Sequence, residues 1–144
     1  MKAFFYTSAI VPLFLSGHES HRKSVDWLGR VRRGEVRGFL ALHSVAESYR
    51  TLSTPTGRPP LEGELLVLAM RLLLDGSFEI VEPRASDYRN VVVDLARRHL
   101  PGKIVYDALL LQAARRSGAE VILTFNLRDF RRAAPDLEGR IREP

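Results

Sequence analysis

Short apolar runs alternate with longer stretches in which apolar residues recur every three or four positions, and this alternation predicts strands interleaved with helices. Residues 2–5 read as a first buried strand, after which Ser8 is placed to cap a short helix reaching residue 15. A second helix is expected over 24–33, stopped by Gly34, and a second strand over 38–42. Ser44 then stands as the cap of a helix over 45–53, which must close before Pro55 because proline lacks the amide hydrogen and clashes with the preceding turn. Three prolines and a glycine make 54–60 a loop.

Residues 61–74 place Leu65, Leu66, Leu68, Ala69, Leu72 and Leu73 in one broad stripe, the pattern of a helix facing a core or a partner. Gly76 ends it. A third strand is expected at 79–81, then a helix over 86–100 that buries Val92, Val93, Leu95 and Ala96. Pro101-Gly102 breaks the chain again before a helix over 104–117, with Leu109, Leu110, Ala113 and Ala114 on its inner face and Gly118 as its stop. The run Val121-Ile122-Leu123 is a fourth strand, followed by a short helix near 127–132 and an edge strand near 139–142. Short strands joined by helices imply one α/β domain over 1–144, a three-layer α/β/α arrangement around a mostly parallel sheet. At 144 residues one core suffices.

Composition narrows the chemistry. The longest apolar runs, such as 65–70, fall far short of the roughly 18 residues that span a bilayer, and Tyr6-Thr7-Ser8 interrupt the N-terminal apolar stretch before Pro12, which fits a strand and turn better than a signal peptide; a cytoplasmic protein is expected. There is no cysteine, so disulfides, thiol nucleophiles and thiolate metal sites are excluded. A net charge of +5, with arginine pairs at 32–33, 97–98, 115–116 and 131–132, suits a polyanion such as nucleic acid. Any single pair is equally explained as complementing a helix C-terminus.

Sites of open parallel sheets lie beyond the C-terminal ends of the strands. Those positions hold Tyr6-Thr7-Ser8 after the first strand, Glu47 after the second, Asp107 at a later helix start, and Thr124, Asn126 and Asp129 after the fourth. Three acids with hydroxyls suit Mg²⁺ or Mn²⁺, which bridge few carboxylates to phosphate oxygens, and the matching reaction is phosphodiester hydrolysis by metal-activated water. Each acid also has a purely structural explanation. Ser44 to Glu47 and Asn126 to Asp129 match capping boxes, and Asp107 near a helix start is favoured by the dipole.

Four segments in order carry a family likeness: KAFFYTSAIV at 2–11, HSVAESYR at 43–50, GKIVYDALL at 102–110 and ILTFNLRDF at 122–130. Together they resemble the PIN domains, and among these the VapC toxins of toxin–antitoxin systems. The resemblance implies a metal-dependent endoribonuclease that forms a homodimer, binds a cognate antitoxin and cleaves RNA. It maps acidic metal ligands onto Glu47, Asp107 and Asp129, with Ser8, Thr124 and Asn126 as hydrogen-bonding supports. Where the family pattern carries its first aspartate, this chain carries Tyr6, so impaired catalysis is expected, or a catalytically inactive domain that acts by binding RNA or antitoxin. A small phosphatase would want an aspartate nucleophile at that same place, and Tyr6 removes it too.

Other residues read as structural. His18 and His21 fall in a polar, basic stretch, His43 and His99 read as structural or exposed, and Trp27 reads as a packing anchor of the second helix rather than a base-stacking platform. No phosphate-binding glycine motif occurs.

Overall fold

The computed structural model describes all residues 1–144. Five strands, β1 (Lys2–Phe5), β2 (Arg37–Leu40), β3 (Phe78–Ile80), β4 (Val121–Leu123) and β5 (Ile141–Arg142), form one sheet in the order β3-β2-β1-β4-β5. Every pairing is parallel, with Phe4 opposite Phe39 on one side and opposite Ile122 on the other. Both faces are buried because β1 alternates its side chains between two cores. Phe4 joins Phe39, Ile122 and Ile141 under α5 (Ala85–Arg97), α6 (Val105–Ser117) and α7 (Leu127–Ala133). Ala3 and Phe5 join Leu40, Val121 and Leu123 under α1 (Thr7–Ile10), α2 (His21–Arg32) and the end of α4 (Gly63–Leu74). The three-layer α/β/α domain read from the sequence is the one found.

Helix starts differ from the sequence reading where capping was invoked. α3 spans Leu42–Ser53, with extended Ala41 as its N-cap, so the chain turns helical two residues after β2. Ser44 therefore lies inside the first turn, fully buried, with its hydroxyl unpaired, and Glu47 does not close a capping box on it. Likewise α1 begins after Tyr6 rather than at Ser8, whose hydroxyl is used across the sheet edge instead. In α5 the inner face consists of Val91 and Leu95, four apart, while Val92, Val93 and Ala96 point to solvent. Three consecutive valines fit either phase of a helix, and only packing on α6 selects one. Trp27 is buried, edge-on to Phe5, with Arg30 over its ring, as expected of an anchor.

α4 is the exception to burial. Ala69 and Leu73 pack inward, but Leu65, Leu68 and Leu74 are more than half exposed. Between α4 and α3 runs an apolar groove of about 660 Å³ lined by Tyr49, Leu66, Val67, Met70 and Leu74.

Candidate active site

β1 lies between β2, which follows it in the chain, and β4, which is reached only after the chain has crossed back, so the strand order reverses at β1 and β4. Such a reversal splays the following segments apart and opens a crevice beyond the strand ends. Tyr6 and Thr124 stand at its floor, each directly after its strand. The Tyr6 amide donates to the Leu123 carbonyl at 3.0 Å and the Thr124 amide to Arg142 at 3.1 Å, so sheet pairing holds both in place.

The segment after β4 is tied to the start of α1 by hydroxyls. Ser8 Oγ accepts the Phe125 amide at 2.9 Å and lies 3.2 Å from Thr124 Oγ1, which in turn accepts the Asn126 amide at 3.1 Å. This bracing leaves the Asn126 side chain free to face the acids: its Nδ2 donates to Asp107 Oδ2 at 3.4 Å and to Asp129 Oδ2 at 3.5 Å. Asn126 is thus the N-cap of α7 by position, but its side chain makes no capping bond. Glu47, half-buried on α3, accepts Thr7 Oγ1 at 2.5 Å. The structure brings all six sequence-derived residues, Ser8, Glu47, Asp107, Thr124, Asn126 and Asp129, to this one edge of the sheet.

Tyr6 closes the network from below. The residue is 7% exposed, its ring stands edge-on to Phe130 at 4.6 Å, and its hydroxyl donates to Asp107 Oδ1 at 2.6 Å. Burial first, then the charge and hydrogen bond of Asp107, then Glu47, push the phenol far above its ordinary range, so it remains a neutral donor. Asp107 is itself raised above the usual carboxylate range. Burial is the main cause and the negative charges of Asp129 and Glu47 add to it, while the Tyr6 hydrogen bond and Lys103 oppose. Asp129 moves the other way, lowered chiefly by its hydrogen bond from Lys103 Nζ at 3.1 Å.

Lys103 was not singled out by the sequence reading, although it lies inside a quoted segment, and Thr7 was placed at the sheet edge without a role. Spacing within a motif carries no sign of which cation or hydroxyl will turn inward.

A divalent cation does not fit this arrangement as it stands. No three carboxylate or imidazole groups lie close enough together to hold one. One oxygen of Asp107 is taken by a phenol that donates rather than coordinates, Asp129 is neutralised by an ammonium, and Glu47 is engaged by Thr7. An aspartate in place of Tyr6 would convert the central donor into a further acceptor, the change a cation needs.

A family model for the PIN domain matches residues 4–135, which contains every residue of this site. The chain belongs to the PIN domain family. No curated protein sequence matches it. Its PIN fold is similar to that of VapC20 from Mycobacterium tuberculosis, described as a sarcin-ricin loop cleaving toxin, with a TM-score of 0.66 at 17% identity over 88% of this chain and 92% of that one. It is also similar to a chain of VapBC2 from Rickettsia felis, described as bound to a DNA fragment from their promoter, with a TM-score of 0.66 at 15% identity over 100% of this chain and 99% of that one. At such identities the likeness establishes the shared fold. No helix of this PIN domain is long and apolar enough to cross a membrane.

Proposed function

We propose that this PIN domain is an RNA-directed endoribonuclease of the VapC toxin type whose catalytic centre is impaired by Tyr6. The observation that carries the reading is the bond from Tyr6 to Asp107, made at the centre of an otherwise acidic crevice in a basic protein. Glu47, Asp107 and Asp129 are the acids the family resemblance assigns to Mg²⁺ or Mn²⁺, and Ser8, Thr124 and Asn126 hold the segment after β4 in register with them. In this chain the phenol both removes one negative charge and satisfies the carboxylate that a cation would need. The second reading, a silent PIN domain that works by binding, is favoured by one further observation. Leu65, Leu68 and Leu74 of α4 are exposed beside an apolar groove, which suits a protein partner, either an antitoxin or a second copy in a homodimer.

The test is Tyr6→Asp. RNA cleavage with Mg²⁺ or Mn²⁺ should rise well above the parent and disappear again when Asp107→Asn is added, and calorimetric titration should show divalent-ion binding only in the single variant. A parent that already cleaves RNA as efficiently as Tyr6→Asp would refute the impairment. If neither protein cleaves RNA although Tyr6→Asp binds the ion, the ribonuclease assignment fails and binding alone remains.

A further inference from the structure

Beside the acidic crevice two exposed rings lie face to face. His43 in the first turn of α3 and Tyr106 in the first turn of α6 are stacked, with centroids 4.9 Å apart and planes 11° from parallel. Tyr106 nonetheless keeps 56% of its surface exposed. The other aromatic pairs of the protein are edge-to-face and include buried rings. Flat stacking at the surface leaves outer ring faces on which a further planar group can settle.

The surroundings say what that group is. His43, Glu47 and Arg50 stand at i, i+4 and i+7 of α3, one face of the helix, and Tyr106 immediately precedes Asp107. The two rings, Ala46, Glu47 and Arg50 line a pocket of about 370 Å³, within the range of roughly 300–1,000 Å³ typical of small-molecule sites. Arg50 is exposed and makes no ion pair and no side-chain hydrogen bond, unlike Lys103 across the crevice, which is committed to Asp129. A free guanidinium at the rim repels a cationic side chain that would otherwise stack on the rings, and attracts phosphate. Glu47 lines both this pocket and the crevice at Tyr6, so the two are continuous.

We infer that His43 and Tyr106 form a stacking subsite for one unpaired nucleobase of RNA, with Arg50 holding an adjoining phosphate, next to the acids of the crevice. The inference rests on the RNA-directed reading above and adds which residues would hold the base, which must be unpaired there because bases inside a duplex present no free face. The simpler role of the pair, fastening α3 to α6, accounts for the contact between the rings but not for the unpaired cation beside them.

The test uses the full chain, whose impaired centre permits equilibrium binding, and a short oligoribonucleotide carrying the fluorescent base 2-aminopurine, alone or annealed to its complement. The single strand should bind more tightly than the duplex and its fluorescence should be quenched on binding. Tyr106→Ala should weaken single-strand binding about 5- to 30-fold, within the range that loss of one base stack produces, and abolish the quench. Tyr106→Phe should retain both, and His43→Ala should resemble Tyr106→Ala with its thermal unfolding midpoint unchanged. Unaltered affinity and quench in Tyr106→Ala, while the parent binds RNA, would overturn the subsite and leave the RNA reading standing. Loss of self-association in Tyr106→Ala with RNA binding intact would assign the rings to a protein contact, again against the inference. No binding of either RNA form by the parent or by Tyr6→Asp would remove the RNA reading itself.

Discussion

Tyr6→Phe isolates what the phenol oxygen contributes, because it deletes one atom and keeps the ring against Phe130. The bond removed is buried, 2.6 Å long and made to a carboxylate. Hydrogen bonds to charged groups contribute on the order of 1.5–3 kcal/mol. The Asn126 amide remains on the other oxygen of Asp107 at 3.4 Å, and the open crevice admits water to the vacated place, so the lower part of that range is expected, about 1.5–2 kcal/mol at neutral pH. The pH dependence has a definite sign. Asp107 already has a folded-state pKa above the ordinary carboxylate value, and the Tyr6 bond is the main influence holding it down. Without that bond the pKa rises further. A native state that binds more protons than the unfolded chain gains stability as pH falls, so the deficit of the variant is full where Asp107 is ionised and narrows as pH falls through its folded pKa. Urea unfolding of parent and variant at neutral and at mildly acidic pH, with equal m-values, measures the difference. A deficit that is absent, or that stays constant across this range, would show that Asp107 is not held as an anion by Tyr6. On the proposed function, RNA cleavage by the variant should not exceed that of the parent, since phenylalanine supplies no ligand either.

Two further outcomes test the frame around the site. In Gly38→Ala the added Cβ would lie 2.9 Å from Phe78 and 3.0 Å from Val31, both buried, so overpacking should cost about 1–3 kcal/mol in chemical denaturation; an unchanged midpoint would refute the close approach of β2 to β3 and α2. If α4 docks a second copy, sedimentation should show a dimer at tens of micromolar that Leu68→Glu converts to a monomer of similar stability, whereas a monomeric parent would rule out that use of the face.

The order of elements and the location of the crevice were legible in the sequence because they follow from hydrophobic periodicity and from where parallel strands end. Glu47, Asp107, Asn126 and Asp129 lie up to 82 residues apart, as 129 minus 47, yet each could be assigned to the same sheet edge by the strand or helix start preceding it. What the sequence did not disclose was the partner of each polar group. Ser44-Val45-Ala46-Glu47 has the spacing of a capping box, but Ala41 takes the capping position once packing pulls the helix start back to Leu42, and Glu47 turns to Thr7. Tyr6 could be read as a lost acid; that its hydroxyl reaches Asp107, with its ring edge-on to Phe130, is a tertiary contact that spacing along the chain does not encode. His43 was set aside as structural or exposed, because stacking between two helices leaves no trace in the spacing of either one.

The central place of β1 has a consequence for synthesis. Its Phe4 and Phe5 emerge on the growing chain some thirty residues before β2 can cover one edge of the strand, and more than a hundred before β4 covers the other. At translation rates of about 5–20 residues per second, that second edge stays open for on the order of five to twenty-five seconds. A short, aromatic, unpaired strand is the kind of segment that seeks improper partners, so a factor that holds the nascent chain until β4 is made should raise the yield of folded protein. The same order of synthesis keeps Tyr6 and Asp107, 101 residues apart, from meeting until β1, β2 and β3 have all been made. A Tyr6→Asp chain would therefore complete its acidic cluster only once Asp129, beyond β4, had been made.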